Sequence, residues 1–231
     1  MTMTAQLFCK LVGDIIMKNI LFIFAHPDDA EIYAGGLMLK LYHKDINFRI
    51  CCVLNEQKDK QLNKIRKNEL EMSLNNVGIK PDYLDILDGK LIWDEIEINK
   101  LYKYIEDNDP FLIITHNIHD YHNDHRHVSD IVNSIASYRW PVIMSDTLCG
   151  NNHEPQYYCD ITKYMHMKIN MILCHTSQVK SCNYSEMARI LNSFRGLQYT
   201  GKADYYCEAY SSYSGYHRND LEKRLRNLFE D

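Results

Sequence analysis

Two short segments concentrate the residues that could do chemistry. His26-Pro27-Asp28-Asp29 follows the apolar run from Ile20 to Ala25, and His119-Asp120-Tyr121-His122-Asn123-Asp124-His125 follows the run from Phe111 to Thr115. One imidazole with two adjacent carboxylates can supply two metal ligands and still leave a carboxylate free as a base. In the second segment His122 and His125 stand three apart, a spacing that can present both imidazoles to one pocket. Two strand ends loaded in this way point to a hydrolytic zinc site. Each segment also has a plainer reading. Asp28 or Asp29 could cap the helix that follows, and the second segment could be a solvated loop. The crowding of His119, His122, His125 and His127 weighs against a loop. His127 falls on the other side of a turn beginning there and reads as structural, while His116 and His119 stay open.

Strand candidates lie at 20–25, 48–54, 83–87, 111–115 and 142–146, with helix candidates between them at 31–44, 60–77, 94–107 and 126–138. Leu62, Ile65, Leu70, Leu74 and Val77 share roughly one helical face, and Gly78 with Pro81 beyond gives a stop. This alternation predicts right-handed βαβ units and an α/β fold, Rossmann-like, with a mostly parallel sheet flanked by helices. In such an open sheet, ligands bind at the C-terminal strand ends, where both clusters fall. Residues 149–160 read as a loop. Helices at 163–175, near 185–198 and at 219–229 follow, with a Tyr-rich stretch before the last. Gly35-Gly36 would let backbone or substrate approach closely, or permit tight helix–strand packing.

The chain has 231 residues, 45% of them hydrophobic, and a net charge of −5. That length fits one α/β domain. No basic patch stands out, so no nucleic-acid partner is expected. No run reaches the ~18 apolar residues of a membrane span. Residues 1–16 make a poor signal peptide, because Lys10, Gly13 and Asp14 break the apolar stretch. Met17-Lys18-Asn19 opens the first strand as a natural start would. Residues 1–16 are therefore expected to be a non-native or alternative-start extension, and 17–231 a single domain. The eight cysteines contain no CxxC pair, and Cys51-Cys52 lie in a strand pattern. They are expected to be reduced thiols of a cytoplasmic protein. No cysteine stands near either cluster in sequence, so none receives a catalytic role.

Spacing tests two hydrolase families. Metallo-β-lactamase-like enzymes carry HxHxDH, but two residues separate His119 from His122. DHH phosphoesterases need Asp-His-His, but Arg126 follows Asp124-His125. The chain does resemble the PIG-L and LmbE-like N-acetylglucosaminyl deacetylases. Residues from Ala25 to Glu31 resemble that family's AHPDDxE signature, and those from Asp120 to His125 its DxHxDH signature. Arg66 and Glu69 resemble its RxxE element. Asp160-Ile161-Thr162, Lys168 and His175-Thr176-Ser177-Gln178 resemble its DIT…K…HxSQ region, and Glu208-Ala209-Tyr210 its closing element. The resemblance spans roughly residues 20–215. Asn123 departs from the family's usual Pro, which loosens the loop but removes no ligand.

The resemblance implies roles. His26, Asp29 and His125 would bind Zn²⁺ and leave positions open for water and substrate. Asp28 would be the general base. His122, oriented by Asp124, would stabilise the oxyanion or protonate the leaving amine. Arg66 would contact sugar hydroxyls or a neighbouring phosphate, unless it merely pairs with Glu69 at the surface. The sequence does not separate zinc from Fe²⁺. Tyr199, Tyr205, Tyr206, Tyr210, Tyr213 and Tyr216 could stack on sugars, form a homo-oligomer interface or, most plainly, pack as an alternating strand. With Arg66 they are candidates for outer substrate contacts.

The expected function is removal of an N-acetyl group from a small amino-sugar substrate: a glycoside, an antibiotic precursor or a nucleotide-linked sugar. Two rivals are an amide hydrolase on a non-sugar metabolite and a metal-bearing, non-catalytic sugar-binding module. Asp28 argues against the module, because a binder needs ligands but no spare base. A dinucleotide-binding Rossmann protein is disfavoured, because no GxGxxG follows the first strand.

Overall fold

The structure, a computed structural model, describes residues 19–90, 92–212 and 218–230. The expected junction between an extension and the domain, and two of the tyrosines, Tyr213 and Tyr216, lie outside the described residues. The strands are β1 (Ile20–Phe24), β2 (Phe48–Cys52), β3 (Asp82–Tyr83), β4 (Leu112–Thr115), β5 (Val142–Ser145), β6 (Tyr157–Asp160) and β7 (Cys207–Ser212). The helices are α1 (Asp29–His43), α2 (Lys60–Leu74), α3 (Glu95–Asn108), α4 (Asn123–Ala136), α5 (Met165–Leu173), α6 (Thr176–Val179), α7 (Tyr184–Thr200) and α8 (Arg218–Phe229). The sheet order is β3-β2-β1-β4-β5-β7-β6. β1 to β5 run parallel, while β7 is antiparallel to both β5 and β6.

The apolar runs read as strands because they are buried on both faces. Phe22 and Phe24 of β1 enter one core layer with Ile50 and Ile114, while Leu21 and Ile23 enter the other with Ile113, Val128 and Val132. This alternation covers both sides of a parallel sheet. α1 is apolar nearly all round and buried from Asp29 to Leu41. It lies between the sheet and α5, α7 and β7. α2 is capped by Asp59, which accepts from the amides of Gln61 and Leu62, and α3 by a capping box of Asp94 and Glu97. The expected stop after α2 holds, since Gly78 adopts φ +63° behind a short 3₁₀ turn.

One expectation is corrected: the segment 149–160, read as a loop, ends in β6. The Tyr-rich stretch supplies β7, as the strand-packing reading of its tyrosines has it. These strands pair with each other, Tyr157 opposite Tyr210 and Cys159 opposite Glu208. Tyr210 is fully buried, and Tyr199 stacks on Tyr158 with 5.2 Å between ring centres. That pair lines a cavity with Lys40. Lys40 is eleven residues along α1 from Asp29, about 16 Å at helical rise. Tyr199 and its partner Tyr158 therefore stand apart from the His/Asp clusters.

Buried polar clasps bind the two halves of the chain. Glu208 accepts from the amides of Gly36 (2.7 Å) and Leu37 (2.8 Å), from Lys168 Nζ (2.8 Å) and from the Tyr210 hydroxyl (2.9 Å). Gly36 is needed for packing. A Cβ there would fall 2.5 Å from Ile161 Cγ2, so it serves helix–strand contact rather than substrate approach. Because Lys168 and Glu208 are almost wholly buried, Glu208→Ala leaves an uncompensated charge inside. The expected loss is about 3–5 kcal/mol by urea denaturation. A loss near the ~1 kcal/mol of a surface pair would show that the ammonium reaches water instead.

Candidate active site

β1 is central, with β2 on one side and β4 on the other. Successive crossovers thus leave in opposite directions and open a crevice between the C-terminal ends of β1 and β4. His26, Asp28 and Asp29 stand after β1. Asp120, His122, Asp124 and His125 stand after β4, at the start of α4. The topology brings both sequence clusters to one place.

At its centre is a triangle of donor atoms. His26 Nδ1 lies 3.2 Å from His125 Nε2 and 3.3 Å from Asp29 Oδ2, and His125 Nε2 lies 3.2 Å from Asp29 Oδ1. Ligand atoms ~2.0–2.1 Å from a tetrahedral zinc would stand ~3.3 Å apart, so these residues fit a divalent ion. All three are buried. Carboxylates hold the far side of each imidazole: Asp120 Oδ1 is 3.3 Å from His125 Nδ1, and Asp124 Oδ2 is 3.2 Å from His26 Nε2. Such outer partners fix ring orientation and raise ligand basicity. His116, left open by the sequence, stacks face to face on His125 with ring centres 3.9 Å apart, and its Nε2 accepts from the Ala25 amide at 2.9 Å.

The electrostatics favour positive charge here. Burial alone would push His125 down, but Asp29 and Asp120 outweigh it and raise its pKa to about 9. His26 is likewise raised against its burial by Asp124, Asp29 and Asp88. Burial would raise Asp29, yet His125 and His116 hold it well below the carboxylate range. Burial pushes the neutral His116 down to about 4. A divalent ion would take the place of the imidazolium protons.

Asp28 is the exception. It precedes α1 with φ 146°, a conformation that favours glycine, and its side chain caps nothing. Asp29 also escapes the capping role, since its Oδ2 accepts from the His26 amide at 2.7 Å. Burial and the charge of Asp29 push Asp28 up to about 6, against the pull of Arg66, whose Nη2 stands 3.4 Å away. Strain of this kind persists where the surroundings enforce it, characteristically at functional sites.

The remaining expected residues fall into place with altered partners. His122 is the N-cap of α4 and half exposed; its Nδ1 accepts from the Asp124 amide at 3.3 Å. The neutral ring therefore carries its proton on Nε2. The Asp124 carboxylate, expected to orient His122, stands 4.0 Å from that ring and nearer to His26. Arg66 is buried rather than surface-paired with Glu69. Glu69 instead accepts from Thr176 Oγ1 (2.7 Å) and from the amide (2.8 Å) and hydroxyl (2.6 Å) of Ser177, and so holds α6. Glu31 meets His175 Nε2 at 3.1 Å. His127 packs edge-on against Trp93, as a structural residue would. A cysteine does lie beneath the cluster: Cys52 donates to the Ala25 carbonyl at 3.4 Å, and burial pushes its thiol far up. It is inert.

Sequence reasoning missed Asp88, whose Oδ1 lies 3.0 Å from His26 Nε2 and Oδ2 3.9 Å from Arg66 Nη1. The available signal was position: Asp88-Gly89 ends the apolar alternation Leu84, Ile86 at the same sheet edge. Tyr33, Ile32 and Tyr184 were also missed as pocket residues. With Gln178, Arg66, Asp88 and the His/Asp set they line a cavity of about 140 Å³. A groove of about 620 Å³ lined by Gly89, Tyr121, His122, Asn123, Asp124 and Arg126 adjoins it at His122.

Comparison with known proteins adds to this geometry. The family described as "PIG-L: GlcNAc-PI de-N-acetylase" matches residues 21–136, the stretch that holds both clusters. A Bacillus cereus protein described as "Probable N-acetyl-alpha-D-glucosaminyl L-malate deacetylase 2" is 26% identical over 198 residues, covering 76% of this chain and 90% of that protein. Among solved structures, the N,N'-diacetylchitobiose deacetylase of Pyrococcus horikoshii superposes with a TM-score of 0.74 at 20% identity, covering 94% of this chain and 96% of that one. The 4-carboxy-2-hydroxymuconate hydratase GalB of Pseudomonas putida superposes with a TM-score of 0.72 at 18% identity, covering 86% and 97%. These structural likenesses establish the fold, a mostly parallel sheet flanked by helices. A deacetylase and a hydratase on one fold show that chemistry must be argued from the site.

Two variants test the donor triangle. His125→Ala should lose most bound divalent metal by elemental analysis; full occupancy would remove His125 from the ligand set. Asp120→Asn should keep the site but weaken metal affinity ~10–100-fold in chelator competition, the usual effect of losing an outer carboxylate.

Proposed function

The chain belongs to the GlcNAc-PI de-N-acetylase (PIG-L) family, and on that premise we propose that it is a metal-dependent hydrolase that removes the N-acetyl group of an amino sugar carried on a larger molecule. One observation carries this reading: Asp28, a buried carboxylate in a strained conformation, lines the cavity beside the donor triangle without capping the helix. A binding module needs no such residue.

His26, Asp29 and His125 would hold the ion, zinc or ferrous iron. A divalent ion bound there supplies a Lewis acid for the amide carbonyl and lowers the pKa of a water. Asp28 takes the proton of the attacking water, a task suited to a carboxylate raised toward neutrality. His122 directs its Nε2 proton to the developing oxyanion or to the departing nitrogen. Asp124 and Asp88 both meet His26 Nε2, which has one proton to give. Asp88, which also accepts from Gln57 Nε2 at 2.6 Å, lines the cavity with Arg66, and the two would bind sugar hydroxyls while Asp124 holds the ring.

The cavity of about 140 Å³ is below the ~300–1,000 Å³ typical of sites enclosing a whole ligand. It takes the reacting end of a substrate, and the adjoining groove takes the rest. The outer contacts therefore come from Tyr121 and Arg126 in that groove rather than from the Tyr-rich stretch. Among the described residues, no helix is long and apolar enough to cross a membrane. The cysteines described are free thiols, which suits a cytoplasmic setting.

The deciding experiment is a mass-spectrometric screen of N-acetylated glycosides, sugar nucleotides and free N-acetylglucosamine for loss of acetyl. Conjugates should show the higher kcat/KM, because remote contacts supply binding energy. No release from any of them would overturn the proposal. In the same assay Asp28→Asn should retain metal and lose at least ~10²-fold in turnover. Near-normal turnover would assign the base elsewhere.

A further inference from the structure

The cavity has two unlike ends. On the His26 side stand Arg66 and Asp88, with Asp28 3.4 Å from Arg66. On the His125 side stands Tyr33. Its ring meets His125 edge-on at 5.8 Å and His116 at 5.6 Å between centres, and lies parallel to Phe24 at 6.3 Å. Ile32, one position before it on α1, also lines the cavity and is 5% exposed. Tyr33 itself is 8% exposed, so the ring closes this end rather than framing an opening. Burial and the charges of Asp120, Asp29 and Asp28 keep its phenol neutral.

An N-acyl amino sugar presents two unlike arms about its carbonyl carbon. One carries hydroxyls, the other an alkyl group. With the carbonyl at the donor triangle and the hydroxyls toward Arg66 and Asp88, the alkyl group falls against the apolar surface of Ile32 and the Tyr33 ring. We infer that Tyr33 is the specificity-determining residue that limits the acyl group to acetyl by closing the cavity one methyl beyond the carbonyl. This rests on the deacetylase reading above. Packing holds the ring in place: Phe24 lies parallel on it and the paired imidazoles of His116 and His125 meet it edge-on, so a longer chain cannot displace it at low cost.

The test compares N-acetyl, N-propionyl and N-butyryl forms of one glucosamine conjugate. The unmodified enzyme should prefer acetyl to butyryl by at least ~10-fold in kcat/KM, the scale on which pockets sense methylenes. Tyr33→Ala should shift that ratio toward butyryl by at least ~10-fold while metal content stays normal. Tyr33→Leu should move it the same way by less, and keeps the test open if the alanine variant misfolds. Tyr33→Phe preserves the ring and should leave the acyl preference in place. The ratio cancels a general loss of activity, so merely structural damage does not mimic the shift. An unchanged ratio in a folded, metal-loaded Tyr33→Ala or Tyr33→Leu enzyme overturns the inference, as does equal use of acetyl and butyryl by the unmodified enzyme. Turnover of none of the three overturns the deacetylase reading itself and separates the two failures.

Discussion

Everything at the centre of this molecule answers to crowded negative charge. Asp28, Asp29, Asp88, Asp120 and Asp124 converge on two imidazoles inside a largely buried cleft. Buried carboxylates at this density would repel one another and lose their hydration, so cations must stand among them. The raised His26 and His125, the depressed Asp29 and the fit to a divalent ion express that one constraint. Only Asp28 escapes full compensation. Burial and the charge of Asp29 push its carboxyl up to about 6, against the pull of Arg66 3.4 Å away. Compensation at the imidazoles and the raised Asp28 thus come from the same charge distribution.

That balance needs a rigid frame, supplied by residues far from the chemistry in sequence. Glu31 on α1 reaches His175, Glu69 on α2 holds the start of α6, and Glu208 on β7 fastens α1 to Lys168. Each clasp joins an N-terminal element to a C-terminal one. The antiparallel strands β6 and β7 complete the sheet beyond β5 and carry Glu208 to the middle of α1. Motif residues that look independent along the chain therefore share one task, which is to keep α1 where its first residues meet α4. The small cavity follows from this tightness. Its lining is charged at Arg66, Asp88 and the His/Asp cluster and also includes Ile32 and the ring of Tyr33.

Much of this was legible in the sequence. The apolar runs and helix periodicities fixed β1 to β5 and α1 to α4 within a few residues, because burial on both faces leaves a strong local signal. The His/Asp clusters at two strand ends foretold that they would meet, since open parallel sheets gather such ends at a switch point. Residue type and spacing pointed to a metal site with a spare carboxylate in these clusters; the particular set His26, Asp29 and His125, with Asp28 as base, came from the resemblance to the family.

Tertiary structure decided what those residues face. Which imidazole Asp124 supports, that Asp88 joins Arg66, and that Tyr33 packs on His116 and His125 depend on side-chain directions at loop and helix starts, where no periodicity constrains them. β6 and its pairing with β7 were hidden for a related reason: the pairing spans some fifty residues, and strand preference comes from cross-strand packing rather than local composition. The chain's own order determined which chemistry could occur. The packing of α1 against the C-terminal half determined where each charge and each apolar wall stands, and so what the site can hold.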